Sequence, residues 1–285
     1  MNKDYKSTKF LNYEIAITPA TRLLKKLTDQ VGFGKKLLVV FTPNPEQLVY
    51  AKSHSWFDKV LGKSDILLPD GVGIVIGSQI VSFFDKSVPV TQRIAGVDVV
   101  AKLLDTLTDK KILIVGGREY AGLSYQGWMV MQACAKTSTL QPVPTKLTKT
   151  VEQSVNKQVK LKKQQHLFWH EGFLNITQPT QTEKNELLEC IQTLKPEVIF
   201  VAFGAPHQEQ WIIENKQVLE ASGVRLAMVV GGAFDMLLGK VSRAPKWMQK
   251  VGLEWLFRLY QEPWRWKRQI KLLQFVKLVV QASLK

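Results

Sequence analysis

The chain has 285 residues, 45% of them hydrophobic and 22% charged, so it can form one large domain or two smaller ones around a substantial core. The 39 Lys and Arg residues exceed the 24 Asp and Glu residues, and the formal net charge of +15 favours phosphate-rich partners such as nucleotides, nucleic acids or anionic lipids. No run of 18 apolar residues occurs and the start MNKDYKSTKF lacks the apolar core of a signal peptide, which argues against a spanning or secreted protein and favours the cytoplasm.

Short apolar segments rich in Val and Ile alternate along the chain with longer amphipathic segments. The apolar segments predict strands at residues 35–43, 64–69, 110–117, 165–173, 196–204 and 225–234. The amphipathic segments predict helices near residues 45–61, 93–107, 120–136, 182–194 and 206–221. Several strands lack polar alternation, which is typical of a parallel sheet covered on both faces. The sequence therefore predicts an α/β fold, with a Rossmann-like, mostly parallel sheet flanked by helices.

Two segments differ from this alternation. Residues 136–165 contain seven lysines and one glutamate, and they predict a solvated insertion or loop rich in Lys and Gln. Residues 241–285 contain ten Lys and Arg residues, two Glu residues and four of the eight tryptophans. We therefore expect an α/β core at residues 1–240 and a basic helical appendage at residues 241–285.

Signatures of metal or nucleotide sites are mostly missing. The sequence has no GxxxxGK[ST], no HExxH, no paired CxxC and no D-x-D, and His166 and His170 lie on a predicted strand, so we predict no metal site. The glycines of GVGIVIG do not match the dinucleotide fingerprint. The two cysteines, Cys134 and Cys190, fit a reducing compartment better than a disulfide scaffold, and we interpret them as small core residues.

The stretch LLPDGVGIV places an aspartate, Asp70, between two apolar segments. A buried carboxylate is costly unless it is paired, hydrogen-bonded or used. Ligands of open α/β sheets bind at the carboxyl ends of the strands, and Asp70 follows such an end. Asp70 is therefore a candidate site residue, although capping a helix or bonding a turn amide would also account for it.

Other blocks at strand ends and helix starts are FTPNPEQL (41–48), PDGVG (69–73), QRIAGVD (92–98), AFGAPHQEQW (202–211) and GGAFD (231–235), followed by GKVSRAPKW and GLEWLFRLYQEPWRWKRQ. In this order they resemble the WecG/TagA/CpsF glycosyltransferases of bacterial surface-polysaccharide synthesis, from about Val39 to Arg268. The chain departs from the family at His207, where lysine is usual, and in its long segment 136–165.

The resemblance implies an enzyme that transfers an N-acetylhexosamine, commonly N-acetylmannosamine, from a UDP-sugar donor to a polyprenyl-diphosphate-linked sugar. It implies inversion at the anomeric carbon, no metal and no other cofactor, and a role in cell-surface polysaccharide or teichoic acid synthesis. Asp70 matches the proposed general base, and Arg93, at the start of a predicted helix, would hold the diphosphate. The implied substrate-binding residues are Thr42, Asn44, Gly204, Gln208, Gly232, Asp235, Arg258 and Arg265.

The appendage also suggests a membrane contact, because the implied acceptor is a lipid. Apolar residues recur at helical spacing at Trp266, Ile270, Leu273 and Val280, and polar ones recur on another face at Lys267, Lys271, Gln274, Lys277 and Gln281. This pattern predicts a basic amphipathic helix on an anionic membrane surface, at the inner face of the cell membrane. A terminal helix packed on the core with a solvated basic face is the alternative.

Other functions remain open on the sequence. A related transferase could use UDP-glucose or UDP-N-acetylmannosaminuronic acid, since one or two pocket contacts decide the donor. A nucleic-acid-binding protein is the distant alternative, because the chain is basic and rich in Trp and Arg, but no nucleic-acid module matches and we predict no nucleic-acid partner. The sequence leaves homo-oligomer formation open.

Overall fold

The structure is a computed structural model that describes residues 5–126, 128–134, 166–263 and 266–284. The predicted insertion at residues 136–165 and the candidate residue Arg265 therefore lie outside the described residues.

A ten-stranded, mostly parallel sheet forms the centre of the molecule. Its strands are β1 (Ser7–Phe10), β2 (Tyr13–Ala16), β3 (Leu38–Phe41), β4 (Ile66–Leu67), β5 (Lys111–Gly116), β6 (Ser124–Tyr125), β7 (Trp128–Gln132), β8 (His166–His170), β9 (Val198–Ala202) and β10 (Leu226–Val229). Their order is β1-β2-β4-β3-β10-β9-β5-β8-β7-β6. Among the strand pairs of the described residues, only the outer pairs β1–β2 and β6–β7 are antiparallel. All six predicted strands are present, and the predicted mostly parallel α/β sheet is confirmed.

Helices cover both faces of this sheet. In the described residues they are α1 (Ala20–Phe33), α2 (Pro45–Ser53), α3 (Ser55–Leu61), α4 (Val72–Phe84), α5 (Gly96–Thr106), α6 (Gln181–Leu194), α7 (His207–Glu214), α8 (Lys216–Ala221), α9 (Ala233–Leu237), α10 (Lys246–Lys250), α11 (Glu254–Gln261) and α12 (Trp266–Ser283). The central strands are buried on both faces between two apolar clusters, which explains their runs of Val and Ile without polar alternation.

The helix predicted at residues 120–136 is wrong, because this segment forms β6 and β7. Trp128 and Val130 are buried whereas Met129 and Met131 are exposed, and this alternation has the period of a strand rather than of a helix. Helices α1 and α4 and the β1–β2 hairpin were not predicted from the sequence.

The prediction that both cysteines are unpaired is also wrong. Cys134 follows β7 and Cys190 lies on α6, and the two form a disulfide with their Cα atoms 5.6 Å apart. Strand β7 pairs with β8, and α6 follows β8 along the chain, so the fold brings the two cysteines together across 56 residues of sequence. Spacing in the sequence could not reveal this proximity.

The last helix, α12, packs against α2 and α4. Phe275 and Val279 are fully buried there, and the Phe275 ring lies 6.2 Å from that of Phe10. Gly77 of α4 permits this approach, since a methyl group in its place would lie 2.9 Å from both rings. The buried face of α12 is therefore not the apolar face that spacing predicts, which leaves Ile270 and Leu273 exposed. In the described part of the chain, no helix is both long and apolar enough to cross a bilayer.

Candidate active site

Four neighbouring strands bring the predicted site residues together. Strands β4, β3, β10 and β9 are neighbours in this order and run parallel, so their carboxyl ends lie at the same edge of the sheet. The segments after them carry Asp70, Thr42, Gly232 and Gly204 in turn. The sheet therefore gathers at one edge residues that are up to 190 positions apart in the sequence.

A cavity of about 590 Å³ lies at this edge. Asp70 and Arg93 line it, as do predicted binding residues from the core and from α11. The predicted residues in its wall are Thr42, Asn44, Asp70, Arg93, Gly204, Gln208, Gly232 and Arg258. The volume is within the range of small-molecule sites.

Asp70 is half-buried at the end of β4, next to the first turn of α5. The pKa of its carboxyl group is raised from 3.8 to about 6, mainly by burial and also by the nearby charge of Glu254. The positive charge of Arg93 and hydrogen bonds from the backbone amides of Gly71 and Gly96 act in the opposite direction. The resulting carboxylate is ionised at neutral pH and basic enough to accept a proton.

Two glycines lie beside Asp70, and the backbone conformation requires glycine at the first of them, Gly71. Gly71 has a φ of 92°, in the left-handed region that other residues rarely adopt. At Gly96 a methyl group would lie 3.4 Å from Cγ2 of Thr42 and 3.8 Å from Oδ2 of Asp70. These are ordinary contact distances, so the requirement at this site is the turn at Gly71, which presents its amide to the carboxylate.

Arg93 is held by a carboxylate from the C-terminal segment. Its Nη2 lies 2.5 Å from Oε2 of Glu254, whose side chain is 10% exposed. The other oxygen, Oε1, accepts a hydrogen bond from Nε of Arg243 at 3.1 Å. Arg243 in turn forms two hydrogen bonds with Asp98 of α5, at 2.5 and 3.1 Å. A chain of four charges therefore connects the C-terminal segment to α5 beside the cavity.

Two arginines retain free donors in the wall of this cavity. The Nε atoms of Arg93 and Arg258 are buried and have no hydrogen-bond partner in the described structure. A buried donor without an acceptor costs free energy, which an anionic ligand would recover if the guanidinium groups turned towards it. Arg258 also forms an ion pair with Glu262 at 3.8 Å. The pair of unsatisfied donors makes the cavity suitable for a phosphate group.

A buried carboxylate orients two glutamines beneath the cavity. Oε1 of Glu209 accepts hydrogen bonds from Nε2 of Gln47 at 2.9 Å and from Nε2 of Gln208 at 3.0 Å. The carbonyl oxygen of the Gln208 side chain accepts from the amide of Gly204 at 3.2 Å. Burial raises the pKa of Glu209 to about 7, although the two glutamine hydrogen bonds oppose this. Glu209 does not itself line the cavity and so acts by positioning its neighbours.

The remaining predicted residues have other placements. Asn44 caps α2, since its side chain accepts from the amide of Gln47 at 3.0 Å while it also lines the cavity. Asp235 lies behind the wall, where its carboxylate accepts a hydrogen bond from Tyr120 at 2.7 Å. His207 begins α7 without lining the cavity.

Sequence reasoning missed Glu254 and Gln47, which act through contacts with distant residues. Glu254 stands in the block GLEWLFRL and Gln47 in FTPNPEQL, and both blocks are part of the resemblance to the family. Within the described residues, no group of three His, Cys, Asp or Glu side chains could hold a metal ion. Positive charge at the cavity comes instead from arginine and lysine side chains.

Comparison with known proteins identifies relatives of this chain. The sequence model of the glycosyl transferase WecG/TagA/CpsF family matches residues 8–285. An N-acetylglucosaminyldiphosphoundecaprenol N-acetyl-beta-D-mannosaminyltransferase of Bacillus subtilis (strain 168) is 31% identical over 245 residues, which are 85% of this chain and 78% of the relative. Proteins of the same name from Bacillus spizizenii and Staphylococcus aureus (strain MRSA252) are 26% and 24% identical, over 85% and 81% of this chain and 78% and 74% of their own lengths.

Proposed function

We propose, because the chain belongs to the WecG/TagA/CpsF family of glycosyltransferases, that it transfers N-acetylmannosamine from UDP to a sugar carried on a polyprenyl diphosphate. The names of the relatives contain both this sugar and an undecaprenyl diphosphate carrier. One observation carries the proposal: Asp70, with its raised pKa, lines the same cavity as two arginines with unsatisfied donors. The product would enter a cell-surface polysaccharide or teichoic acid.

Asp70 acts as the general base in this proposal. Its carboxylate takes the proton from the acceptor hydroxyl as the hydroxyl oxygen bonds to the anomeric carbon of the donor. A pKa of about 6 keeps the group ionised at pH 7 and gives it a higher proton affinity than an exposed aspartate. A single displacement with the base and the leaving group on opposite sides of the carbon inverts the anomeric centre.

Arg93 and Arg258 stabilise the leaving group in this proposal. As the bond between the anomeric carbon and the diphosphate oxygen breaks, the electron pair stays on UDP, and the guanidinium groups meet the growing negative charge. Arginine forms fork-shaped hydrogen bonds with phosphate oxygens, so the two side chains can fill the role that a divalent cation has in other transferases. We therefore infer that the transfer proceeds without a metal.

A panel of donors tests the proposed function. Purified protein is incubated with a short-chain polyprenyl-diphosphate-linked N-acetylglucosamine and with UDP-linked N-acetylmannosamine, N-acetylglucosamine, glucose or N-acetylmannosaminuronic acid. We expect release of UDP and a disaccharide product with the first donor. Transfer from one of the other three donors, without transfer from UDP-linked N-acetylmannosamine, would contradict the assignment of the sugar. Absence of transfer from all four donors would contradict the proposed function.

We further propose that the enzyme reaches its lipid acceptor at the inner face of the cell membrane through the C-terminal segment. Trp266, Ile270 and Leu273 are exposed on one side of α12, with exposed fractions of 55%, 48% and 73%. Lys277 is exposed one turn further along the same side. A helix with exposed apolar residues and nearby lysines suits an anionic interface.

Sedimentation with vesicles tests the membrane contact. The variant Ile270→Ser/Leu273→Ser changes exposed side chains only, so the fold should persist, and we expect it to lose most of the binding to vesicles that contain anionic phospholipid. Phe33→Ser is the matched control, because Phe33 is 87% exposed at the end of α1. Equal sedimentation of the double variant and the parent would show that another surface binds the membrane.

A further inference from the structure

A second, open groove of about 910 Å³ adjoins the cavity described above. It lies between α4, the segment that precedes α5, and α10 with the residues after it. Val72, Arg93, Ala95 and Gly252 line both spaces. Because Val72 is two residues from Asp70, the groove opens close to the base.

The two spaces differ in charge. The first cavity has three cationic side chains, Arg93, Arg258 and Lys271, and three acidic ones, Glu46, Asp70 and Glu254. The groove has four cationic side chains, Arg93, Arg243, Lys246 and Lys250, and a single acidic one, Asp98. The excess of positive charge therefore lies in the groove.

Two lysines carry this excess. Arg93 and Arg243 are already paired with Glu254 and Asp98. Lys246 and Lys250 lie one turn apart on α10, both are exposed, and neither forms an ion pair with any residue that the structure describes. Two ammonium groups at this spacing can bind the two phosphates of one diphosphate.

Part of the groove is apolar, and exposed apolar residues continue from it along α4. Val72 and Val75 line the groove itself, and Val251 on the opposite side is 62% exposed. Beyond the groove, Ile76 and Phe83 of α4 are 43% and 70% exposed. A ligand that is anionic at one end and hydrocarbon along its length matches this arrangement.

We propose that the groove binds the diphosphate and the first isoprenoid units of the acceptor lipid, with Lys246 and Lys250 on the phosphates and α4 along the hydrocarbon. This inference rests on the proposed function for the identity of the acceptor. The reaction brings together two diphosphates, one on each substrate, and the first cavity, with its balanced charges, accommodates the donor. Arg93 lies between the two sites, and the acceptor sugar then extends from the groove towards Asp70.

Binding of farnesyl diphosphate, a water-soluble isoprenyl diphosphate, tests the groove without catalysis. Titration calorimetry is done with UDP at saturation, so that the donor site is occupied. The variant Lys246→Glu/Lys250→Glu should bind farnesyl diphosphate at least about tenfold more weakly than the parent and should bind UDP unchanged. Lys59→Glu/Lys63→Glu is the matched control, since these lysines are also exposed and four residues apart, lie outside both spaces, and change the net charge equally.

The results separate this inference from the proposed function. The inference is supported if the parent binds farnesyl diphosphate, the variant Lys246→Glu/Lys250→Glu binds it more weakly, and the control variant binds it like the parent. This holds even if no UDP-sugar is a donor. Absence of binding to the UDP-saturated parent, or affinities of the groove variant and the parent within twofold, would overturn the inference. In transfer assays, the KM of the groove variant for a diphosphate-linked acceptor should be about tenfold or more above that of the parent. Its KM for octyl N-acetylglucosaminide, an acceptor without a diphosphate, should equal that of the parent. Equal effects on the two acceptors would also overturn it.

Discussion

Replacing Asp70 by asparagine should reduce activity and increase stability in the same protein. The amide keeps the shape of the side chain but cannot accept a proton, so turnover should fall about 10²- to 10⁴-fold, the usual effect of losing a general base. UDP binding should remain, because Arg93 and Arg258 are unchanged.

The gain in stability follows from the raised pKa. Folding raises the pKa of Asp70 from 3.8 to about 6, so ionisation at pH 8 costs the folded state up to about 3 kcal/mol, at about 1.4 kcal/mol for each pH unit. An asparagine avoids this cost. It also loses an acceptor for one of the two backbone amides that face Asp70, which lowers the stability of the variant by about 1 kcal/mol. We therefore expect Asp70→Asn to be more stable than the parent by about 1–2 kcal/mol above pH 7.

The dependence of this difference on pH is the decisive measurement. Below about pH 3 the carboxyl group is protonated in both the folded and the unfolded chain, so the advantage of the variant should vanish and only the loss of the acceptor, about 1 kcal/mol, should remain. The stability of the variant relative to the parent should rise between about pH 3 and pH 7, through both pKa values, and stay constant above that, in urea titrations monitored at several pH values. A variant that is less stable than the parent at pH 8, or that transfers sugar within about twofold of the parent rate, would refute the assignment of Asp70 as a buried base.

Three further predictions concern charge at the cavity. Arg93→Ala should weaken UDP binding by about 1.5–3 kcal/mol, the contribution of a charge-assisted hydrogen bond, as measured by calorimetry, and unchanged affinity would exclude a contact with the diphosphate. Transfer should persist in excess EDTA, and a loss that Mg²⁺ or Mn²⁺ reverses would contradict the role of arginine as the counter-charge. Glu254→Gln should move the acidic limb of kcat/KM to lower pH, because Glu254 raises the pKa of Asp70, and an unmoved limb would show that the limb reports another group.

The strands could be predicted from the sequence because a strand that is buried on both faces consists of consecutive apolar residues. Val39 and Val40 of β3, or Val198 and Ile199 of β9, are adjacent and all fully buried. The ends of such strands are equally visible, which is why Asp70 and Gly204 could be selected as site residues. Their convergence could not be read from the chain, since it depends on strand order, and β10 lies between β3 and β9.

Contacts between distant segments account for the predictions that were wrong or missing. Helix α12 has apolar residues at helical spacing on more than one face. Packing against Phe10 and Gly77 buries the face that contains Phe275, and this contact cannot be recognised from the sequence of the helix alone. Glu254 has no local signal of its function, because its partners are 11 and 161 residues away. The disulfide of Cys134 depends in the same way on two neighbouring strands and the helix that follows them.

The pairing of Arg93 with Glu254 has a consequence for the design of inhibitors. A diphosphate that bonds Nη2 of Arg93 competes there with Glu254, so that part of its measured affinity reports a difference between two ion pairs rather than the full strength of the new one. A zwitterionic compound could use both halves of the pair, with a phosphonate on Arg93 and an ammonium group on the displaced Glu254. Such a compound should gain selectivity over enzymes that hold UDP-sugars through a metal, because those sites repel the ammonium group.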